Sequence, residues 1–243
     1  MSDEAPKDLT TEFAVELAKQ FPIKNVYDDA LKPSAAQAGQ ILQDIVKTIQ
    51  LALAPLQIAG AYQDRLRAFI DRSVRAVPEK QRVSPPPQIL GPIVEGIRYE
   101  PEGTPIDEMF SRLLSSSLDS ERLDRAHPAF PAIIRQLSAD EAKILTTLKG
   151  TTFEYVHSQP YNRATNLFGA AVIEKDALPT AGLVFPNKVP FYVQHLNQLG
   201  LAGIFQVGNQ EALFDAAGQQ NGVRVRSQYR LMDFGQAFVE ACT

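Results

Sequence analysis

A chain of 243 residues, 44% of them apolar, can bury one large core or two ordinary ones without disulfide or metal staples. Its formal net charge of −4 removes the broad electrostatic attraction typical of proteins that coat nucleic acids or anionic membranes, so any such contact has to be local. The single cysteine, Cys242, excludes an internal disulfide framework and a CxxC zinc site, and reads as a small apolar helix residue in a reducing cytoplasm.

The opening MSDEAPKDLT is acidic and polar where a secretory signal would be basic and then apolar. Residues 1–10 are read as a disordered lead, and a cytoplasmic location follows. Residues 11–21 place Phe13, Leu17 and Phe21 four apart behind threonine caps, the stripe of an amphipathic helix that Pro22 stops. A longer helix is expected from about Ser34, with Ile41, Leu42, Ile45, Val46 and Ile49 at helical spacing, until Pro55 kinks or divides it. The span 56–77 resumes as a helix whose wet face carries Asp64, Arg65, Arg67, Asp71, Arg72 and Arg75. The charge-free stretch 48–63 is too short to span a bilayer and contains Gln50, Pro55 and Gln57. A buried helix explains it, with release to a membrane on triggering as the alternative.

Ser84 to Pro87 reads SPPP, an extended strap that keeps a helix from running through. Thr104, Pro105 and Asp107 then give a cap, a first-turn proline and an early acid ahead of Met109, Phe110, Leu113, Leu114 and Leu118. His127 and Pro128 repeat that start before Phe130, Ile133, Ile134 and Leu137. At Ser138 the phrase SADE is a capping box in which Ser138 and Glu141 satisfy each other's free donors. Beyond Gly150, short β-branched and aromatic runs at 151–156, 167–173 and 183–185 suggest strands. A helix is expected over 189–199, then the strand-like LAGIFQV, further strand residues Val223, Val225 and 229–231, and a closing helix capped by Asp233.

The phrases YDDALKPSAAQAGQ, VKTIQLALAPL, PPPQILGPIVEGIRY and AHPAFPAIIRQLSADEAKIL, followed more loosely by DFGQAFVEAC, resemble the abortive-infection alpha family of bacterial proteins. That resemblance implies a setting in phage defence and supplies no catalytic motif. The phrase LNQLGLAGI resembles the helix-to-wing transition of winged-helix domains. The expected fold is therefore mainly α: a helical domain over 11–137 followed by an elaborated winged-helix-like α+β domain over 138–243.

Three chemistries compete with a pure binding role. A winged helix invites nucleic-acid contact, and Lys188, Arg224, Arg226 and Arg230 are its candidate residues. Against it, residues 138–243 hold eight Lys and Arg against nine Asp and Glu, and the candidate recognition helix 189–199 holds neither Lys nor Arg. Arg122 and His127 in RLDRAH match the R-x4-H spacing that resembles the ribonuclease motif of HEPN-type toxins, where Arg and His share a helical surface. His127 precedes Pro128, however, and a residue before proline is pushed out of the helical region, so it reads as a cap. Membrane perturbation by 48–63 is the third alternative. His157 and His195 lack partners at metal-ligand spacing, and the chain contains no Walker loop, GxSxG elbow or dinucleotide fingerprint. No cofactor, metal or small molecule is expected and no catalytic residue is assigned. The preferred reading is a non-enzymatic sensor or effector that acts through a protein partner or a second copy, with the apolar surfaces at 41–56 and 109–118 serving as core or oligomer seam.

Overall fold

The computed structural model describes residues 60–243, with side chains from Asp64 onward. The helices expected at 11–21 and from residue 34, the seam at 41–56 and most of the charge-free stretch 48–63 lie outside the described residues. The described residues divide into two units, one that runs to Arg135 and takes in Cys242, and the other Gln136–Ala241 with Thr243.

The first unit is built on helices α1 (Gly60–Arg75), α2 (Pro87–Gly96), α3 (Pro105–Ser117) and α4 (Phe130–Ile134). Helix α3 starts as its sequence dictates: the Thr104 hydroxyl accepts the Asp107 N–H at 3.1 Å, and Pro105 occupies the first turn, where its missing donor costs nothing. The prolines at 85–87 do more than block a helix. Pro87 opens α2, and Ile89, Leu90, Ile93 and Val94 form a fully buried face behind it. Proline at N1 tolerates that position because the first-turn N–H groups have no intrahelical acceptor in any case. At the far end of α2, a Cβ on Gly96 would lie 2.3 Å from the Phe110 ring, so the glycine lets α2 and α3 approach over a buried aromatic.

Helices α1 and α3 meet through small and charged groups. The Ser73 and Ser111 hydroxyls lie 2.9 Å apart, the Ser115 hydroxyl donates to the Ser73 carbonyl at 3.0 Å, and Arg72 reaches Asp107 at 2.8 Å. Serines at the crossing keep the backbones close, while Met109, Phe110, Leu113 and Leu114 fill the core on the other side of α3.

The second unit opens with α5 (Ala139–Thr147), capped by a full Ser138–Glu141 box. It continues through β1 (Phe153–Asn162), β2 (Leu167–Phe168), β3 (Val172–Asp176), α6 (Val189–Gln198), β4 (Ala202–Gln206), β5 (Glu211–Phe214), β6 (Gln220–Leu231) and α7 (Asp233–Cys242). The six strands form one curled antiparallel sheet with the path β2-β1-β6-β4, in which β3 also pairs with β1 and β5 with β6. Its spine is the ladder from Phe153 opposite Tyr229 to Pro160 opposite Gly222. Along β6, Val223, Val225, Ser227 and Tyr229 are buried while Arg224, Arg226 and Arg230 alternate onto the other face, the period of two of a half-buried strand.

This sheet corrects the expected fold class. The molecule is not mainly α, and the expected winged-helix domain is replaced by a six-stranded sheet. The candidate residues Arg224, Arg226 and Arg230 belong to the twelve-residue strand at the centre of that sheet, paired on one side with β1 and on the other with β4 and β5. Local patterning marked parts of β1, β2, β3, β4 and β6, whereas 183–185, expected as a strand, lies in the loop before α6 and β5 was not expected; the pairing of 153–160 with 222–229 joins segments too far apart in sequence for periodicity to reveal.

Candidate functional site

Arg122 and His127 do not share a helical surface. Arg122 precedes a single 3-10 turn, Leu123–Arg125, and its Nε donates to Asp119 Oδ2 at 2.7 Å. His127 sits before α4, where its Nδ1 accepts the Ala129 N–H at 3.1 Å and its ring lies 5.6 Å from that of Phe130. Burial would raise the Asp119 pKa, but the Glu121 N–H and the Arg122 guanidinium outweigh it and hold the carboxyl below its ordinary range. The R-x4-H spacing thus resolves into a turn clamp and a helix start.

The four candidate cations of the sheet unit lie in three settings. Lys188 is on the 3-10 turn Pro186–Lys188, with its ammonium 5.7 Å from the Phe185 ring centre. The Arg230 guanidinium covers the Phe205 ring at 4.4 Å. Arg224 and Arg226 belong to a chain of alternating charge that crosses one face of the sheet. Lys175 bonds Glu154 at 2.5 Å, Glu154 contacts Arg226 at 3.4 Å, Arg226 bonds Glu211 at 2.8 Å, Glu211 lies 3.6 Å from Arg224, and Arg224 bonds Glu174 at 2.6 Å. Three cations of this chain meet three carboxylates, so Arg224 and Arg226 are neutralised locally and offer little to a phosphate backbone.

Each acid of this chain is held below its ordinary range, Glu154 by the hydrogen bond from Lys175, Glu174 by that from Arg224 and Glu211 by that from Arg226. Depressed carboxylates contribute stability above their unfolded value, and that contribution is lost as pH falls through the folded values. The sheet unit is therefore expected to resist denaturant equally from neutral pH to about the ordinary glutamate value of 4.5 and to lose a modest part of that resistance below it, read by near-ultraviolet dichroism. An Arg224→Ala, Arg226→Ala variant should flatten that pH dependence, and an unchanged one would refute the assignment.

A second cluster gathers α5, α6 and the loop before α6. Asp140 is buried, and its carboxylate accepts the N–H groups of Val184 at 2.8 Å and Phe185 at 2.9 Å and the Tyr192 hydroxyl at 3.1 Å. Burial pushes its pKa up, and the three donors overcome that and leave it lowered. Beside it, Glu141 Oε2 closes the capping box while Oε1 meets His195 Nδ1 at 2.6 Å. His195, which lacks a partner at metal-ligand spacing, is satisfied by this carboxylate. The capping box was legible in SADE; the service of Asp140 to a loop more than forty residues away carried no sequence signal. At the far end of the sheet, a shallow cleft of about 650 Å³ is lined by Tyr161, Asn162, Arg163, Asp215, Gln219 and Gln220, and Arg163 is held there by the Gln220 carbonyl at 2.9 Å.

Among the described residues, no group of three or more His, Cys, Asp and Glu is placed to hold a metal ion, and no helix is long and apolar enough to cross a membrane. Cys242 is buried, which pushes its thiol pKa well up and keeps it protonated.

A helical unit followed by a curled antiparallel sheet, with its charges neutralised in pairs, defines the kind of molecule. The chain belongs to the abortive infection alpha family, whose model matches residues 60–242 and so reaches into both units. No curated protein and no solved structure matches the chain. Family membership connects it to abortive infection.

Proposed function

We propose that this protein is a non-enzymatic sensor or effector of bacterial phage defence that works in the cytoplasm through contact with a protein partner. The observation that carries this reading is the margin of the sheet beside β1. There, four large apolar side chains, Leu167, Phe168, Val172 and Ile173, stand 50–65% exposed. Strands β2 and β3 that carry them are each paired through β1 alone. Exposed apolar side chains grouped along a sheet margin are unfavourable in water, and covering them with a partner lowers the free energy, whereas polar groups nearby are already satisfied by one another.

Plaque formation and survival of infected cells test the reading. A Phe168→Ser, Ile173→Ser variant that melts as the parent does is expected to lose phage protection, while Arg122→Ala with His127→Ala is expected to keep it. Protection that survives the first pair and disappears with the second would replace contact by catalysis.

A further inference from the structure

From Ala177 to Gln210 the chain has no Asp and no Glu, and its only Lys or Arg is Lys188. In a protein of net charge −4 such a stretch is an island of the opposite sign. At its middle, Val184, Phe185 and Phe191 are 63%, 55% and 63% exposed within eight residues of one another. Large apolar side chains are normally drawn inward, and three of them so close together mark a surface meant to be covered.

The segment is also held in place. Asp140 fastens the Val184 and Phe185 amides and the Tyr192 hydroxyl, and the Lys143 ammonium donates to the Gly182 carbonyl at 2.5 Å. Anchored this way, the rings are displayed before any partner arrives, so binding costs little ordering entropy. Asp140 and Glu141, whose carboxylates bond residues of the stretch 184–195, are each 3% exposed and spend their oxygens inward. What faces outward is aromatic and aliphatic surface with lysine beside it.

We infer that the segment Val184–Phe191 docks on an anionic lipid surface, with Phe185 and Phe191 entering the boundary between headgroups and acyl chains and Lys188 meeting lipid phosphate. Exclusion of every acid over so long a stretch is what a surface of uniform negative sign requires, since one carboxylate there would face repulsion and desolvation together. A protein partner, with charges of both signs, imposes no such exclusion. Lysine carries its ammonium on a long apolar stem, so it reaches phosphate while the rings beside it are immersed. This surface is separate from the sheet margin at Leu167–Phe168 and does not depend on it.

Co-sedimentation of the full chain with phosphatidylglycerol vesicles and with phosphatidylcholine vesicles tests the inference. Binding is expected to the anionic vesicles and to weaken with added salt. Phe185→Ser with Phe191→Ser should lower the partition coefficient at least about tenfold, and Lys188→Glu roughly tenfold, with melting curves unchanged. Absence of binding by the parent chain, equal binding to both vesicle types, or full binding by the double variant overturns the inference. Light scattering that finds the parent dimeric and the double variant monomeric, without vesicle binding by either, would assign this face to a second copy instead. Phage protection lost in the sheet-margin variant while vesicle binding persists, or the reverse, separates this surface from the proposed protein contact.

Discussion

Replacing Asp107 with alanine is expected to destabilise the first unit by about 3 kcal/mol, the low end of the range for breaking a buried ion pair. Its carboxylate is 1% exposed and fully used: Oδ1 takes Arg65 at 3.3 Å, and Oδ2 takes Arg72 at 2.8 Å and the Gly103 N–H at 3.0 Å. Truncation strands all three donors at the crossing of α1 and α3. The arginines are 20% and 34% exposed and can turn partly to water, which is why the low end of the range applies. Asp107→Asn keeps the shape and part of the bonding and should cost less. Urea unfolding followed by far-ultraviolet dichroism measures both, and a loss under about 1 kcal/mol for the alanine variant would mean that the cluster behaves as an exposed pair.

Gly235→Ala is expected to cost about 3 kcal/mol or more, against the direction that helix propensity predicts. Gly235 lies in the first turn of α7, where alanine would ordinarily be favoured over glycine by about 1 kcal/mol. A Cβ there would fall 1.7 Å from the Leu201 carbonyl oxygen and 2.6 Å from its carbon. The obstruction is backbone, and the same carbonyl accepts the Met232 N–H at 2.9 Å, so neither side can give without breaking the joint between α7 and the start of β4. Gly91→Ala in α2 is the matched control: a Cβ there meets nothing within 4 Å, and the substitution should leave stability unchanged or raise it. Thermal melts of the two variants should move in opposite directions, and similar small shifts in both would dismiss the contact.

The two glycines show where reading the chain by itself stops. Gly235 falls in DFGQAFVEAC and Gly96 in LGPIVEG, phrases whose order carried the family resemblance, yet nothing local says that one faces the Leu201 carbonyl and the other the Phe110 ring. The same limit governed the candidate sites. That Arg224 and Arg226 share one face of a strand follows from alternation, which is a property of neighbours. That Glu154, Glu174 and Glu211 would stand against them depends on which strands pair. Arg122 and His127 matched a spacing, and the turn before Pro128 separates them. The docking segment was missed for another reason: a helix over 189–199 was expected, but exposure of its Phe191 beside Val184 and Phe185 is decided by how the loop is tied to Asp140.

What the residues alone determined is what neighbours along the chain can settle. Thr104 and Ser138 begin helices because their oxygens meet amides three positions on, and apolar stripes mark the faces that those helices bury. What only the tertiary structure decided is the joining of β1 to β6, the cancellation of charge across the sheet and the grip of Asp140 on a distant loop. Those outcomes depend on closing loops between segments far apart in sequence, and the gain from each closure comes from contacts that exist only once the fold is complete.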